Sequence, residues 1–206
     1  EDTFRWIKLT KNPSRMEFIQ TRYKIIHGLR KWFDQQKFIE TETPLLVSAP
    51  SPEVQLFPVK TDKGYLITSP EYQMKRLLVG GFDKIFQITR CFRDEENSPQ
   101  HNPEFTMLEW YRTYEPLEKL MTDIEQFVLH ISDSIKSNLL SKKIPIPPWQ
   151  RISVSSLFKK HFGIKLDGYE TANELRRKAE LSGYEKLFHD LPDTSKLTDS
   201  LAYEQT

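Results

Sequence analysis

From Phe92 to Tyr111 the chain reads Phe-Arg-Asp-Glu-Glu-Asn-Ser-Pro-Gln-His-Asn-Pro-Glu-Phe-Thr-Met-Leu-Glu-Trp-Tyr, a polar loop between two apolar runs. Side chains alternate faces along a strand. Gln87, Thr89, Cys91 and Arg93 therefore share one face of the first run, and Phe105, Met107, Glu109 and Tyr111 share one face of the second. Folded as a hairpin, that face offers a guanidinium, a flat ring, a carboxylate and a phenol. An arginine grips a phosphate with two parallel donors. A phenylalanine stacks on a purine for about 1–3 kcal/mol, and carboxylates receive ammonium groups. The surface suits a nucleotide and an amino acid held end to end. A competing reading makes Arg93 and Glu95 a surface ion pair worth about 0–1 kcal/mol, with Phe105 and Tyr111 as core filling. Spacing alone does not choose between the two.

The opposite face carries Phe86, Ile88 and Phe92, then Leu108 and Trp110, and must pack on helices. Asn12-Pro13-Ser14 opens the first of these. Ile19, Tyr23, Ile26, Leu29 and Phe33 then recur at spacings of three and four, predicting a helix that ends near Gln36. Phe38 to Thr43 alternates briefly like a strand until Pro44 interrupts it. Residues 48–58 are rich in proline and read as an irregular loop. Tyr65 to Thr68 suits a short strand. Ser69-Pro70-Glu71 supplies a cap, a proline at the first helical position and an acid in the first turn. That helix stops at Gly80-Gly81. Ile85 to Phe92 and Phe105 to Arg112 are the two strands of the hairpin. Leu117, Leu120, Ile124, Phe127, Val128 and Ile131 mark a long amphipathic helix. The Ile-Pro-Ile-Pro-Pro run at 144–148 is a stiff connector, and helices near 154–162 and 171–182 form a small insert.

With 206 residues, 37% hydrophobic and 29% charged, the chain is long enough for one sizeable core. Thirty basic residues against 29 acidic ones leave a net charge of +1, so no global basic field advertises nucleic acid. Cys91 is the sole cysteine, which excludes an internal disulfide and a cysteine-based zinc site and fits a reducing, cytoplasmic setting. No stretch approaches the roughly 20 apolar residues of a membrane span, and the first residues do not resemble a signal peptide.

At the hairpin the residues resemble a known family. Phe92-Arg93-Asp94-Glu95, followed by His101-Asn102-Pro103-Glu104-Phe105-Thr106-Met107-Leu108-Glu109-Trp110-Tyr111, is similar to motif 2 of class II aminoacyl-tRNA synthetases of the lysyl branch. Lys37 to Leu46 resembles the end of motif 1, and Thr68 to Leu77 resembles the amino-acid-binding segment. The likeness covers residues 10–130. Within the branch it is nearest to the paralogues that modify elongation factor P, on Ser69-Pro70-Glu71-Tyr72 and the Glu109-Trp110-Tyr111 ending. With few residues before the motif 1 helix, an anticodon-binding barrel is not expected, as the resemblance to those paralogues, which lack one, also implies.

The resemblance implies an α+β class II catalytic core, an antiparallel sheet flanked by helices. It implies a core over 1–140 and a connector with a helical insert over 141–206. It implies ATP bound over the sheet, with Arg93 on the α-phosphate, Asp94, Glu95 and Asn102 contacting ATP, His101 near its distal phosphates and Phe105 on adenine. Ser69, Pro70 and Glu71 receive the amino acid, Glu71 accepting an amino group, and Glu109 and Tyr111 hold substrate ammonium groups. The products are an aminoacyl-adenylate of lysine or (R)-β-lysine and pyrophosphate. The aminoacyl group then passes to a lysine of elongation factor P, with tRNA not expected as acceptor. A true lysyl-tRNA synthetase and an inactive binding module are the alternatives. Motif 1 implies a homodimer.

The sequence departs from the family in two places. Asp94 stands where relatives usually have Asn. Motif 3, which brings an arginine for ATP and the acidic Mg²⁺ ligands, is not recognisable after residue 130. The chain is therefore expected to be truncated, with no metal ligands of its own. His27 reads as structural, His130, His161 and His189 as surface residues, Cys91 as a buried sheet residue, and Lys142-Lys143 and Arg176-Arg177-Lys178 as solvated faces. Trp6 and Trp32 read as core or interface residues.

Overall fold

The structure, a computed structural model, describes residues 13–49, 56–94, 101–135, 144 and 147–184. The chain divides into two compact units, Glu1–Pro148 and Trp149–Thr206.

The first unit begins with α1, Pro13–Gln35. Two short strands follow, β1 (Ile39–Glu40) and β2 (Leu46–Val47), and then the pair β3 (Lys60–Thr61) and β4 (Gly64–Leu66). Next come α2 (Glu71–Val79), the long strands β5 (Lys84–Phe92) and β6 (Glu104–Arg112), and α3 (Leu117–Ile135). The expected elements are present. The segment expected as a strand from Phe38 to Thr43 pairs over only two residues, because Pro44 follows closely.

β5 and β6 form the antiparallel hairpin anticipated from the alternation, in a register that sets Gln87 against Glu109, Thr89 against Met107 and Cys91 against Phe105. β1 joins the other edge of β5 and runs parallel to it, so this sheet is mixed where a purely antiparallel one was expected. β2, β4 and β3 make a second, antiparallel sheet. Its tight approach depends on Gly64, at φ +146°, where a Cβ would lie 2.3 Å from the Val47 carbonyl oxygen.

The greasy face of the hairpin packs as its pattern requires. Phe86, Ile88, Leu108 and Trp110 meet Leu29, Trp32 and Phe33 of α1 and Phe127 and Ile131 of α3. Phe33 stacks on Phe86 with centroids 4.4 Å apart, and Trp110 meets Phe127 edge-on at 5.4 Å. Each such aromatic pair adds about 0.5–1.5 kcal/mol beyond its buried area. The periodic stripe of α1 is buried only in its second half. Phe18 and Tyr23 stay 72% and 66% exposed, so the first half of the helix leaves these rings largely open to solvent. Among the described residues no helix is long and apolar enough to cross a membrane.

The second unit contains α4 (Val154–Phe162) and α5 (Ala172–Leu181), close to the expected limits. Thr171 and Glu174 form a reciprocal capping box at the start of α5. Lys178, expected on a solvated face, is instead engaged. Its ammonium reaches Glu170 Oε1 at 2.6 Å and the Lys165 carbonyl at 2.9 Å. That ammonium, with the Asp167 backbone N–H next in strength, holds the Glu170 carboxyl down to about 2. Trp6, His189 and Lys142-Lys143 lie outside the described residues.

Candidate active site

The polar face of the hairpin is completed by a segment from outside it. Ile67 donates its backbone N–H to Leu45 and accepts at its carbonyl from the N–H of Phe92 at 2.9 Å. These bonds dock the exit of β4 against the end of β5 and swing Ser69 over the middle of β6. Ser69 Oγ donates to Glu109 Oε2 at 2.8 Å. The same oxygen accepts from the Glu71 backbone N–H at 3.1 Å, so one hydroxyl starts α2 and touches the carboxylate. Pro70, expected as the first helical residue, sits one position earlier as the residue that caps α2. It is buried, and its carbonyl accepts from the Met74 N–H at 2.9 Å.

Glu109 takes a second donor, the Tyr111 hydroxyl, on Oε1. Burial first, then this hydrogen bond, then the charges of Glu109 and Glu71 push the Tyr111 phenol well above its ordinary range. The structure thus brings together four of the five expected substrate residues, Ser69, Glu71, Glu109 and Tyr111, with Pro70 holding the turn between them. Glu71 is not open as expected, because Lys75, one helical turn on, forms an ion pair with its carboxylate. An incoming amine must share or displace that lysine.

Arg93 lies at the other end of the same face. Its Nε donates to the Thr68 carbonyl at 3.4 Å, and its guanidinium sits 5.1 Å from the centre of the Phe105 ring. A cation therefore lies beside a half-buried ring on this face. The Arg93 backbone N–H donates to the Pro103 carbonyl at 2.9 Å and closes the base of the loop. Asp94 is exposed, and its N–H donates to Phe57 at 2.7 Å, so the loop that begins there is pinned to the segment before β3. His101 and Asn102 are exposed on the far side of the loop. Glu95 lies outside the described residues. Cys91 is fully buried as expected, with Met107 Sδ 4.0 Å away. Burial, reinforced by Glu109 and opposed by Arg93, pushes its thiol up to about 11, which rules it out as a thiolate nucleophile at neutral pH.

Beneath this surface lie polar groups that the sequence reading named but gave no individual role. Gln87 is 2% exposed, and its Oε1 accepts from Thr43 Oγ1 at 3.1 Å. Its Nε2 has no hydrogen-bond partner, and neither has the buried hydroxyl of Thr68. A glutamine at a strand position opposite an expected substrate carboxylate was the available signal. Beside Ser69 opens a cleft of about 620 Å³ between the small sheet and α2, walled by Pro44, Leu46, Ile67, Tyr72, Gln73 and Arg76. Among the described residues no group of three or more acidic, histidine or cysteine side chains could hold a metal ion.

A profile of the family described as tRNA synthetases class II (D, K and N) matches residues 2–192. A lysine–tRNA ligase of Pelotomaculum thermopropionicum is 34% identical over 189 residues, 87% of this chain and 37% of that protein. The enzyme of that name from Moorella thermoacetica is 32% identical over 191 residues, 88% of this chain and 39% of its own length. One from Prochlorococcus marinus strain MIT 9215 is 37% identical over 175 residues, 80% of this chain and 34% of its own. The chain thus spans well under half the length of these relatives.

Proposed function

The chain belongs to the class II tRNA synthetase family (D, K and N), and from that premise we propose that its protein activates lysine with ATP, forming lysyl-adenylate and pyrophosphate. One observation carries the reading. The Ser69 and Tyr111 hydroxyls converge on the Glu109 carboxylate, on the sheet face that also holds Arg93 beside Phe105. A carboxylate with two donors is held on this face of the sheet, and its remaining lone pairs are open to an ammonium group.

In the proposed step a substrate carboxylate oxygen bonds to the α-phosphorus of ATP, and the bond from that phosphorus to the bridging oxygen of pyrophosphate breaks. No protein nucleophile or strong base is required. The rate comes from alignment and from donors aimed at the developing charge. Arg93 supplies those donors at the α-phosphate, and Phe105 stacks on adenine through the ring face away from Arg93. Asp94, Glu95 and Asn102 are assigned to ATP, and His101 to its distal phosphates. Glu71 takes the α-amino group in exchange with Lys75, while Glu109 and Tyr111 hold the distal ammonium. Mg²⁺ accompanies ATP in this chemistry.

The names of the relatives favour tRNA as the acceptor of the lysyl group, against the expectation drawn from the near-neutral charge. A second reading keeps elongation factor P and (R)-β-lysine, on the likeness of Ser69-Pro70-Glu71-Tyr72 and Glu109-Trp110-Tyr111 to the paralogues that modify it. Self-association is proposed through the exposed first half of the α1 stripe, and a monomeric mass by light scattering would contradict it. Pyrophosphate exchange in the full-length protein tests the activation step. Exchange that depends on lysine or β-lysine supports it, and none with either overturns it. Charging of tRNA against labelling of elongation factor P then separates the two acceptors.

A further inference from the structure

We propose that Gln87 is a positioning residue for Glu109 and sets the preference of this site for a cationic side chain; the inference rests on the lysine-activation reading above. Gln87 lies directly across the ladder from Glu109. Residues opposite each other on one sheet face have their Cβ atoms within about 5.5 Å. The Gln87 side chain cannot drift, since it is 2% exposed and its Oε1 is anchored by Thr43 Oγ1 at 3.1 Å. That anchor leaves the Nε2 amide hydrogens as the unspent end, and they have no acceptor.

A buried donor without an acceptor destabilises a fold, and an apolar side chain of the same shape removes that cost. The Thr43 contact accounts for the Oε1 end of the amide alone, and packing gives no reason for the Nε2 end. The neighbour across the rung does. Glu109 is drawn toward Ser69 and Tyr111, one donor on each oxygen. When a substrate ammonium binds, the carboxylate must turn toward it, and the amide of Gln87 supplies a donor on the floor side that holds the turned rotamer. The amide is neutral, so it adds no charge that would compete with the cation. An acid at this position would put two carboxylates on one rung, and an apolar residue would leave the turned carboxylate unsupported.

The test uses Gln87→Met, which keeps length and volume and removes the donor, and Gln87→Glu, which replaces the donor by an acceptor. Steady-state pyrophosphate exchange in the full-length protein is measured with lysine and ATP varied separately, alongside inhibition by norleucine, which has no distal ammonium. A roughly tenfold rise in the lysine KM for Gln87→Met is expected, with the ATP KM, the norleucine inhibition constant and the thermal midpoint unchanged. Gln87→Glu is expected not to rescue the lysine KM. An unchanged lysine KM in Gln87→Met overturns the proposal, and so does a rise in all three constants together with a fallen midpoint, which marks a merely structural role. If the unaltered protein shows no lysine-dependent exchange, the function reading itself falls, and that result is distinct from a normal exchange in both variants.

Discussion

Ser69 Oγ donates to Glu109 Oε2 at 2.8 Å across forty positions of sequence, joining the start of α2 to the middle of β6. The same hydroxyl accepts the Glu71 N–H, so it links the two acidic residues assigned to the amino-acid substrate in the proposed reading. Ser69→Ala removes a hydrogen bond to a charged group, worth about 1.5–3 kcal/mol, and frees Glu109 to rotate. The lysine KM is expected to rise by roughly tenfold or more, while the ATP KM stays within a factor of about two. A double-mutant cycle with Glu109→Gln measures the coupling. Additive effects would show that the two residues act separately.

Arg93 Nε donates to the Thr68 carbonyl, and the guanidinium lies over Phe105. A lysine keeps the charge at this site but not the plane or the fork. Arg93→Lys is expected to lower kcat for pyrophosphate exchange by about 10²–10³, the range seen when a single donor to a developing oxyanion is lost. The lysine KM should change far less, since Arg93 is proposed to act at the α-phosphate and not on the ammonium group of the substrate. Single-turnover adenylate formation followed by rapid quench separates this loss from slow product release.

Strand alternation made the two faces of the hairpin legible, and both are as read, with Phe86 and Trp110 in the core and Glu109 and Tyr111 opposite. Local spacing is enough there because a strand and its tight partner share one register. The Ser69–Glu109 contact was not legible from spacing, since it depends on how the β2–β4–β3 sheet docks on the end of β5 through Ile67 and Phe92. The likeness to known synthetases put both residues at one site without showing that they touch. The Glu71–Lys75 pair was visible as an i, i+4 spacing and was overlooked. His130, read as a surface residue, has a buried Nε2 without a partner, because α3 turns that side of the ring inward. The Arg112–Asp123 pair was hidden for a different reason. An acid among Leu120, Ile124 and Phe127 looks like an interruption of the apolar stripe until its partner at the end of β6 is known.

That pair carries a stability prediction. Arg112 Nε and Nη2 donate to Asp123 at 2.6 and 3.2 Å, with the two side chains 5% and 0% exposed, and Lys119 approaches the same carboxylate at 3.6 Å. The guanidinium also lies 4.8 Å from the Phe38 ring. Asp123→Asn leaves a buried cation without its counter-charge, which costs about 3–5 kcal/mol. Urea unfolding should show this loss at an unchanged m-value. The double replacement Arg112→Met with Asp123→Leu removes both charges and should recover most of it. A double variant as unstable as the single one would mean that the pair contributes more than its own desolvation consumes.

Tyr111 carries the pH dependence. Burial is the largest cause of its raised pKa, followed by the hydrogen bond it donates to Glu109, and both favour the neutral phenol in the folded protein. In the unfolded chain the phenol ionises near pH 10. The folded state therefore holds the proton longer than the unfolded state does. Its contribution to stability is fully present below about pH 10 and is lost progressively as the pH rises above that value. Absorbance at 295 nm should show one tyrosine that ionises only when the protein unfolds in alkali. In Tyr111→Phe that late component should vanish, and the fall of stability above pH 10 should become shallower by the share of one proton. A late component that persists in the phenylalanine variant would assign it to another tyrosine and would argue that the Tyr111–Glu109 bond is weaker than its geometry implies.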